Sequence, residues 1–96
     1  MYARVTTFAG TADDADAGIE SFRANVVPWA RENGRGAILL LDRENGEGIA
    51  ITFWDDEQSM RASEERANAL RADATDQTDA TEKPSIGRYE VAVFEV

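Results

Sequence analysis

The sequence predicts an α+β protein in which a four-stranded antiparallel sheet carries two helices on one face. Three observations predict it. An apolar hairpin lies in the middle of the chain, an amphipathic segment lies on each side of it, and an apolar strand lies towards each end. This order, β-α-β-β-α-β, is typical of the split βαβ or ferredoxin-like arrangement, in which the first strand lies beside the last.

The hairpin is predicted over residues 37–41 and 49–54, two runs rich in β-branched, leucine and aromatic residues. The connection contains Asn45-Gly46, which tolerates the positive φ of a tight turn, and Gly48, where a bulge could form. Both faces of the second run are apolar, whereas a sheet with one face in water usually alternates. Each face of the sheet is therefore predicted to be covered.

Residues 2–8 are predicted to form the first strand, and a helix is predicted over 13–32. Thr11 followed by Asp14 matches a capping box at the start of that helix. Pro28 lies inside the helix and removes a hydrogen bond to Ala24. Either it bends the helix along a twisted sheet, or it opens a cleft. The apolar stripe of the helix is Ala15, Ile19, Phe22, Val26 and Trp29.

The second helix is predicted over 56–74, with Asp55 and Asp56 as N-cap candidates. Residues 75–87 are polar and lack periodicity, which indicates a loop, and 88–95 form the last predicted strand.

Alternation along the strands divides the sheet into two faces. The more apolar face, with Val5, Ile51 and Val91, is predicted to carry the helices. The mixed face is predicted to form a homodimer, sheet to sheet, and Arg4 is expected to pair with Glu90 across strands. The residues expected in that interface are Arg4, Thr52, Trp54 and Phe94.

Composition excludes several function classes. The chain has 96 residues, enough for one domain spanning 1–96, and contains neither cysteine nor histidine, so we expect no intrinsic metal, haem or other cofactor. A formal charge of −9 argues against nucleic acid as a partner. No apolar run approaches the ~20 residues that span a bilayer, so we expect a cytoplasmic protein that does not bind membranes.

Residues 52–62, Thr-Phe-Trp-Asp-Asp-Glu-Gln-Ser-Met-Arg-Ala, together with the element order, resemble the antibiotic biosynthesis monooxygenase superfamily of dimeric α+β barrels. Members tend to have a tryptophan at the end of the third strand, then acids capping the next helix, then an apolar residue and Ala-His. Ser63 stands where that histidine is often found, so haem-degrading and lactone-isomerising relatives are poor templates. The relatives that remain as templates oxidise polycyclic aromatic substrates without metal or cofactor, because the substrate carbanion itself reacts with oxygen. The resemblance implies the same kind of activity for this chain.

Pockets in those relatives lie between helices and sheet and use Asn, Trp, Tyr and Arg side chains. The corresponding substrate-binding candidates are Asn25, Trp29, Trp54 and Arg88, with Tyr2 and Tyr89 as further candidates. An arginine or asparagine could hold an enolate oxygen, and a tryptophan could stack on a planar ligand.

Each candidate also has a purely structural interpretation. Trp29 ends an apolar stripe and could be core, Trp54 could pack in the dimer interface, Arg88 could pair with a nearby acid, and Asn25 could be merely exposed. No catalytic residue is identified. Two functions therefore compete: a cofactor-independent monooxygenase acting on an aromatic or polyketide-like substrate, and a non-catalytic dimeric module that binds a ligand or serves a structural role.

Overall fold

The computed structural model describes residues 1–9, 15–69 and 85–95. The elements run in the predicted order. They are β1 (Tyr2–Ala9), α1 (Ala15–Ser21), a π-helical turn (Phe22–Val26), α2 (Val27–Asn33), β2 (Gly36–Asp42), β3 (Glu47–Trp54), α3 (Glu57–Ala62) and β4 (Ser85–Glu90). The chain is helical again at residues 64–69.

The four strands form one antiparallel sheet in the order β2-β3-β1-β4, which confirms the predicted α+β fold with a ferredoxin-like sheet. The last strand begins three residues earlier than predicted and ends at Glu90. Beyond that strand end, the N–H of Val91 donates to the carbonyl of Met1, 2.9 Å away.

The central hairpin is confirmed, and its connection is the turn at residues 43–46. Gly46 has a φ of 69°, and the side chain of Asn45 donates to Asp42 over 2.7 Å. That hydrogen bond lowers the pKa of the Asp42 carboxyl below its ordinary value. The bulge envisaged at Gly48 is not formed. Gly48 pairs in regular register, and a Cβ there would meet the ring of Phe8 at 2.5 Å.

The first helical segment contains a π-helical turn immediately before Pro28. Its last bond runs from the N–H of Val27 to the carbonyl of Phe22, five residues back. A proline ring clashes with the carbonyl four residues earlier, here that of Ala24, and a wider turn relieves that clash. The segment therefore accommodates Pro28 at the start of α2. The capping box at Thr11 lies outside the described residues.

The predicted N-cap of α3 is confirmed at Asp56, whose side chain accepts a hydrogen bond from the N–H of Ser59 at 2.7 Å. This bond lowers the pKa of the Asp56 carboxyl below its ordinary value. The helix predicted over 56–74 is interrupted at Ser63, a turn residue, before helical residues 64–69. The rest of it and most of the predicted loop lie outside the described residues.

The helices cover the opposite face of the sheet from the one predicted. Arg4 pairs in register with Thr52, and Tyr2 pairs with Trp54, so these side chains share a face. Arg4 contacts α3 through Met60, and Trp54 contacts Trp29 of α2. We call this the helix face. The prediction assigned the helices to the face with more apolar side chains. It is wrong because the helices cover a face that carries an arginine, threonines and a tryptophan.

The other surface, which we call the open face, carries Val5, Ile38, Leu40, Ile51 and Phe53. None of these side chains is buried, and Leu40 is 49% exposed. The C-terminal segment covers part of this face, since the ring of Phe94 lies 5.8 Å from that of Phe53.

The dimer interface expected through Arg4, Thr52 and Trp54 is therefore wrong, because all three are buried beneath the protomer's own helices. The expected pairing of Arg4 with Glu90 is also wrong: Arg4 lies opposite Arg88, and Glu90 lies opposite Tyr2.

Candidate functional site

Arg4 lies at the centre of a polar cluster beneath α3. Only 2% of it is exposed. One Nη donates to the backbone carbonyl of Met60 at 2.5 Å and to the hydroxyl of Ser63 at 2.7 Å. Burial of a guanidinium is tolerated only where polar partners replace water, and the end of α3 supplies them. Arg4 therefore joins β1 to the helical layer.

A pair of tryptophans lies beside this cluster. The centre of the Trp54 ring is 5.6 Å from the guanidinium carbon of Arg4, which is within cation–π range. Trp29 meets Trp54 edge to face, with ring centres 5.2 Å apart. Trp54 is 1% exposed and donates from Nε1 to the Thr52 hydroxyl at 3.0 Å, whereas Trp29 remains partly exposed. The two rings thus continue the row of side chains that Arg4 begins.

Glu64 connects Arg4 to Arg88. Its Oε1 lies 3.4 Å from an Nη of Arg4 and accepts from Nε of Arg88 at 2.6 Å. The hydrogen bond and the charge of Glu64 raise the pKa of the Arg88 guanidinium above its ordinary value. The Arg88 side chain is 39% exposed. The interpretation of Arg88 as an ion-pair partner is confirmed, with Glu64 as the acid.

The four predicted substrate-binding residues do not all come together. Trp29, Trp54 and Arg88 belong to one row of contacts on the helix face. Asn25 lies exposed on the π-helical turn, where its amide donates to Ser21 at 3.5 Å. Its role in binding stays a prediction.

The two tyrosines considered as further candidates are also separated. Tyr2 is half-buried on the helix face, opposite Trp54 in the register. Tyr89 is 58% exposed on the open face, and its ring lies over Gly87. Of the two, only Tyr2 lies on the same side of the sheet as the tryptophans.

Sequence reasoning missed Arg4, Ser63 and Glu64 as members of this cluster. It places Arg4 in a subunit interface and does not single out Ser63 or Glu64 for this cluster. A signal exists, because Met60, Ser63 and Glu64 are spaced three and four residues apart and so share one side of a helix. Two arginines that lie side by side on neighbouring strands repel each other, so an acidic side chain is expected between them.

Within residues 1–9, 15–69 and 85–95, no group of three or more acidic side chains is arranged to hold a metal ion. In the same ranges, no helix is long and apolar enough to cross a bilayer.

No protein-family model matches the chain. Among curated proteins, the uncharacterised protein Rv2557 of Mycobacterium tuberculosis is 31% identical over 96 residues. The match covers 98% of this chain and 42% of that protein. The chain thus spans less than half the length of the curated relative it matches.

Solved structures provide the comparison of folds. A monooxygenase from the gene ActVA-Orf6 of Streptomyces coelicolor, solved in complex with nanaomycin D, superposes with a TM-score of 0.76 at 17% identity. The superposition covers 99% of this chain and 92% of that one. A Deinococcus radiodurans protein named for antibiotic biosynthesis monooxygenases gives 0.72 at 17% identity, over 100% and 97% of the two chains. The resemblance indicated by residues 52–62 is therefore confirmed at the level of the fold, and the chain has the fold of the antibiotic biosynthesis monooxygenase superfamily.

Proposed function

We propose that this chain is a cofactor-independent monooxygenase acting on an aromatic or polyketide-like substrate. The observation that carries the proposal is the row of contacts Trp29–Trp54–Arg4–Glu64–Arg88 on the helix face. Its two ends are accessible, since Trp29 and Arg88 are partly exposed, while Trp54 and Arg4 are buried between them. An accessible aromatic ring at one end of the row and an accessible guanidinium at the other suit a planar substrate that carries an oxygen anion.

The proposed reaction is the oxidation of an activated ring methylene to a carbonyl. The methylene gives a proton to solvent water and becomes a carbanion whose charge lies partly on a conjugated oxygen. The carbanion reacts with O₂, and breakdown of the resulting peroxide gives the carbonyl product and one water. The substrate supplies the electrons, so no further reductant is needed. In this scheme Trp29 stacks on the ring system and Arg88 holds the enolate oxygen.

The comparisons support the proposal through the fold. The Streptomyces coelicolor neighbour is a monooxygenase that was crystallised with nanaomycin D bound. A common fold alone does not transfer an activity, so the assignment depends on the tryptophans and arginine of this chain. Within the proposal, Asn25 is a further contact to substrate, made from the π-helical turn.

The proposal includes a homodimer, now through the open face. That face presents partly exposed apolar side chains along three strands, among them Ile38, Leu40 and Ile51. Burying them against a second copy would remove apolar area from water. A cytoplasmic location and the absence of a metal or cofactor are also parts of the proposal.

Oxygen uptake tests the activity directly. Purified protein is mixed with a panel of anthrone-like and quinol-like compounds, and O₂ consumption is followed with an electrode. We expect uptake with at least one compound, reduced about tenfold or more by Arg88→Ala, because a lost donor to a developing oxyanion typically costs that much or more. Trp29→Phe should mainly raise KM, since the smaller ring stacks on less of the substrate.

Arg61→Ala is the matched control for Arg88→Ala. Arg61 also pairs with a glutamate, Glu57 at 2.9 Å, but it lies exposed on α3 outside the row. Its loss should leave uptake unchanged. Asn25→Ala decides whether the π-helical turn contributes to binding. Uptake that survives both Arg88→Ala and Trp29→Phe would contradict the site assignment.

The alternative, a non-catalytic ligand-binding or structural module, is favoured by one specific observation. The Nε1 of Trp54 is already bonded to Thr52, and Arg4 is held by the end of α3. These two polar groups therefore stabilise the fold, and the exposed side chains that could contact a ligand lie at the ends of the row, at Trp29 and Arg88. Ligand binding without oxygen uptake across the whole panel would support this alternative.

A further inference from the structure

One carboxylate oxygen lies between two arginines that face each other across the sheet. Arg4 of β1 and Arg88 of β4 are direct partners in the register, an arrangement in which like charges repel. Both approach Oε1 of Glu64, at 3.4 Å from Arg4 and 2.6 Å from Arg88. Glu64 thus neutralises one of the two positive charges, and the trio keeps a net positive charge in a chain of net charge −9.

The two arginines are held to different degrees. Arg4 is 2% exposed and is fixed by Met60 and Ser63 as well as by Glu64. Arg88 is 39% exposed and is held through Nε alone. Among the described residues, no side chain or carbonyl is bonded to either terminal nitrogen of Arg88.

We propose that Glu64 is a positioning residue, anchored by Arg4, which orients the terminal nitrogens of Arg88 towards an anionic group on an aromatic ligand. The inference rests on the proposed function, which it deepens by naming the ligand class: an aromatic enolate or carboxylate. Two parallel N–H groups of a guanidinium match two oxygens of a carboxylate or of adjacent ring oxygens. With Nε fixed by Glu64, less side-chain freedom is lost when that fork closes on a ligand.

The two possible roles of Glu64, as a negative charge and as a positioning residue, predict opposite changes in anion affinity when its carboxylate is removed. If the carboxylate acted only as a negative charge near the ligand, removing it would tighten the binding of an anion. If it orients Arg88, removing it frees the guanidinium and weakens binding. A glutamine can still accept a hydrogen bond from Nε of Arg88, so it should restore orientation without restoring the charge.

The test measures binding through the fluorescence of Trp29 and Trp54, with anthraquinone carboxylate as the anionic probe and its carboxamide as the neutral one. The wild type should bind the carboxylate more tightly. Glu64→Ala should raise its Kd about tenfold, the usual scale of one hydrogen bond to a charged group. Glu64→Gln should keep the Kd within about threefold of wild type. The carboxamide should bind all three proteins with similar affinity, since it lacks the anion.

Glu57→Ala is the matched control, because it removes an acid paired with an arginine on α3, outside the trio. Thermal unfolding and binding of the carboxamide show whether Glu64→Ala still folds. If that variant unfolds, Glu64→Gln and Arg88→Lys decide: Arg88→Lys keeps the charge but loses the fork, and should lose affinity for the carboxylate alone.

The positioning role would be overturned, while aromatic binding stands, if Glu64→Ala bound the carboxylate more tightly than the wild type does. It would also be overturned if neither Glu64→Ala nor Glu64→Gln changed the Kd of the carboxylate. No binding of either probe by the wild type would overturn the inference. If the wild type binds neither probe but still consumes oxygen with a compound of the panel, the inference about Glu64 is overturned and the proposed activity stands.

Discussion

Gly34 lies against the ring of Trp54 with no room for a side chain. A Cβ at this position would lie 2.5 Å from the carbonyl oxygen of Phe53 and 2.8 Å from Cε3 of Trp54. The requirement for glycine here follows from these two short contacts. The N–H of Gly34 donates to the carbonyl of Ala30 at 2.9 Å, and that of Arg35 donates to Phe53 at 2.7 Å. The link between α2 and β2 is therefore packed directly on the Trp54 ring.

Gly34→Ala should lower the free energy of unfolding by about 1–3 kcal/mol, the usual cost of overpacking a buried contact. Because the ring of Trp54 must shift, tryptophan emission in the folded protein should also change. Chemical denaturation followed by fluorescence and by far-UV circular dichroism measures both effects. A loss below about 0.5 kcal/mol with unchanged emission would contradict the close packing of Gly34 on Trp54.

The sequence identifies the residue types of the site better than it identifies their contacts. Trp29, Trp54 and Arg88 can be named as candidates from the sequence, because aromatic and cationic side chains are few. Glu64 is harder to single out, because the chain has 19 acidic residues and sharing a helix side with Met60 and Ser63 does not by itself point to an arginine. Its role arises from the register that places Arg4 opposite Arg88, a contact between distant parts of the chain.

The π-helical turn shows how one residue reshapes a whole element. Pro28 has no N–H to donate, and its ring disfavours an α-helical carbonyl at Ala24. The chain therefore widens over Phe22–Val26 before resuming as α2. Asn25 is presented from this wider turn.

Pro28→Ala should convert this turn towards regular α-helix, because the new backbone N–H could then donate to the carbonyl of Ala24. The amide of residue 28 should be protected from hydrogen exchange, and Cα shifts across residues 22–26 should move towards α-helical values. Pro28 is exposed, so little packing is lost. The stability should change by no more than about 1 kcal/mol. An unprotected amide at residue 28 would show that the turn is held by other contacts.

Element types were predictable, but the side of the sheet that each element covers was not. Local patterns define β2, β3 and the N-cap of α3, because hairpin and capping signals act over a few residues. The assignment of faces assumed that helices cover the more apolar side. Here Arg4 and Thr52 are buried beside Met60 and Trp54, since one Nη of Arg4 donates to the end of α3 and the Thr52 hydroxyl accepts from the Trp54 indole. Hydrogen bonding therefore allows the helices to cover the less apolar face, and counting apolar side chains does not take it into account.

At the scale of the whole molecule, an acidic surface opposes the association that the open face favours. Each protomer carries a net charge of −9, so two protomers repel at low ionic strength. The apolar side chains of the open face must outweigh that repulsion in the proposed dimer. Raising the salt concentration should therefore strengthen self-association.

Leu40→Asp should dissociate the proposed homodimer, because Leu40 is 49% exposed on the open face and a carboxylate there would be buried against the second copy. Light scattering coupled to gel filtration measures the mass. Gln58→Glu is the control, since it adds the same charge on the exposed surface of α3. A wild type that remains at 10.5 kDa across salt concentrations would refute the dimer, and a Leu40→Asp dimer would refute this interface.

The hydrogen bond between Val91 and Met1 places the beginning of β1 beside the chain that leaves β4. A flexible linker from the chain that follows β4 back into β1 could therefore close the backbone into a ring. The ring could then be opened within residues 43–46, a polar turn between two paired strands, with all three strand pairings retained. In such a circular permutant the order of the elements along the chain would change, while the helix face, with its tryptophans and arginines, would keep its arrangement.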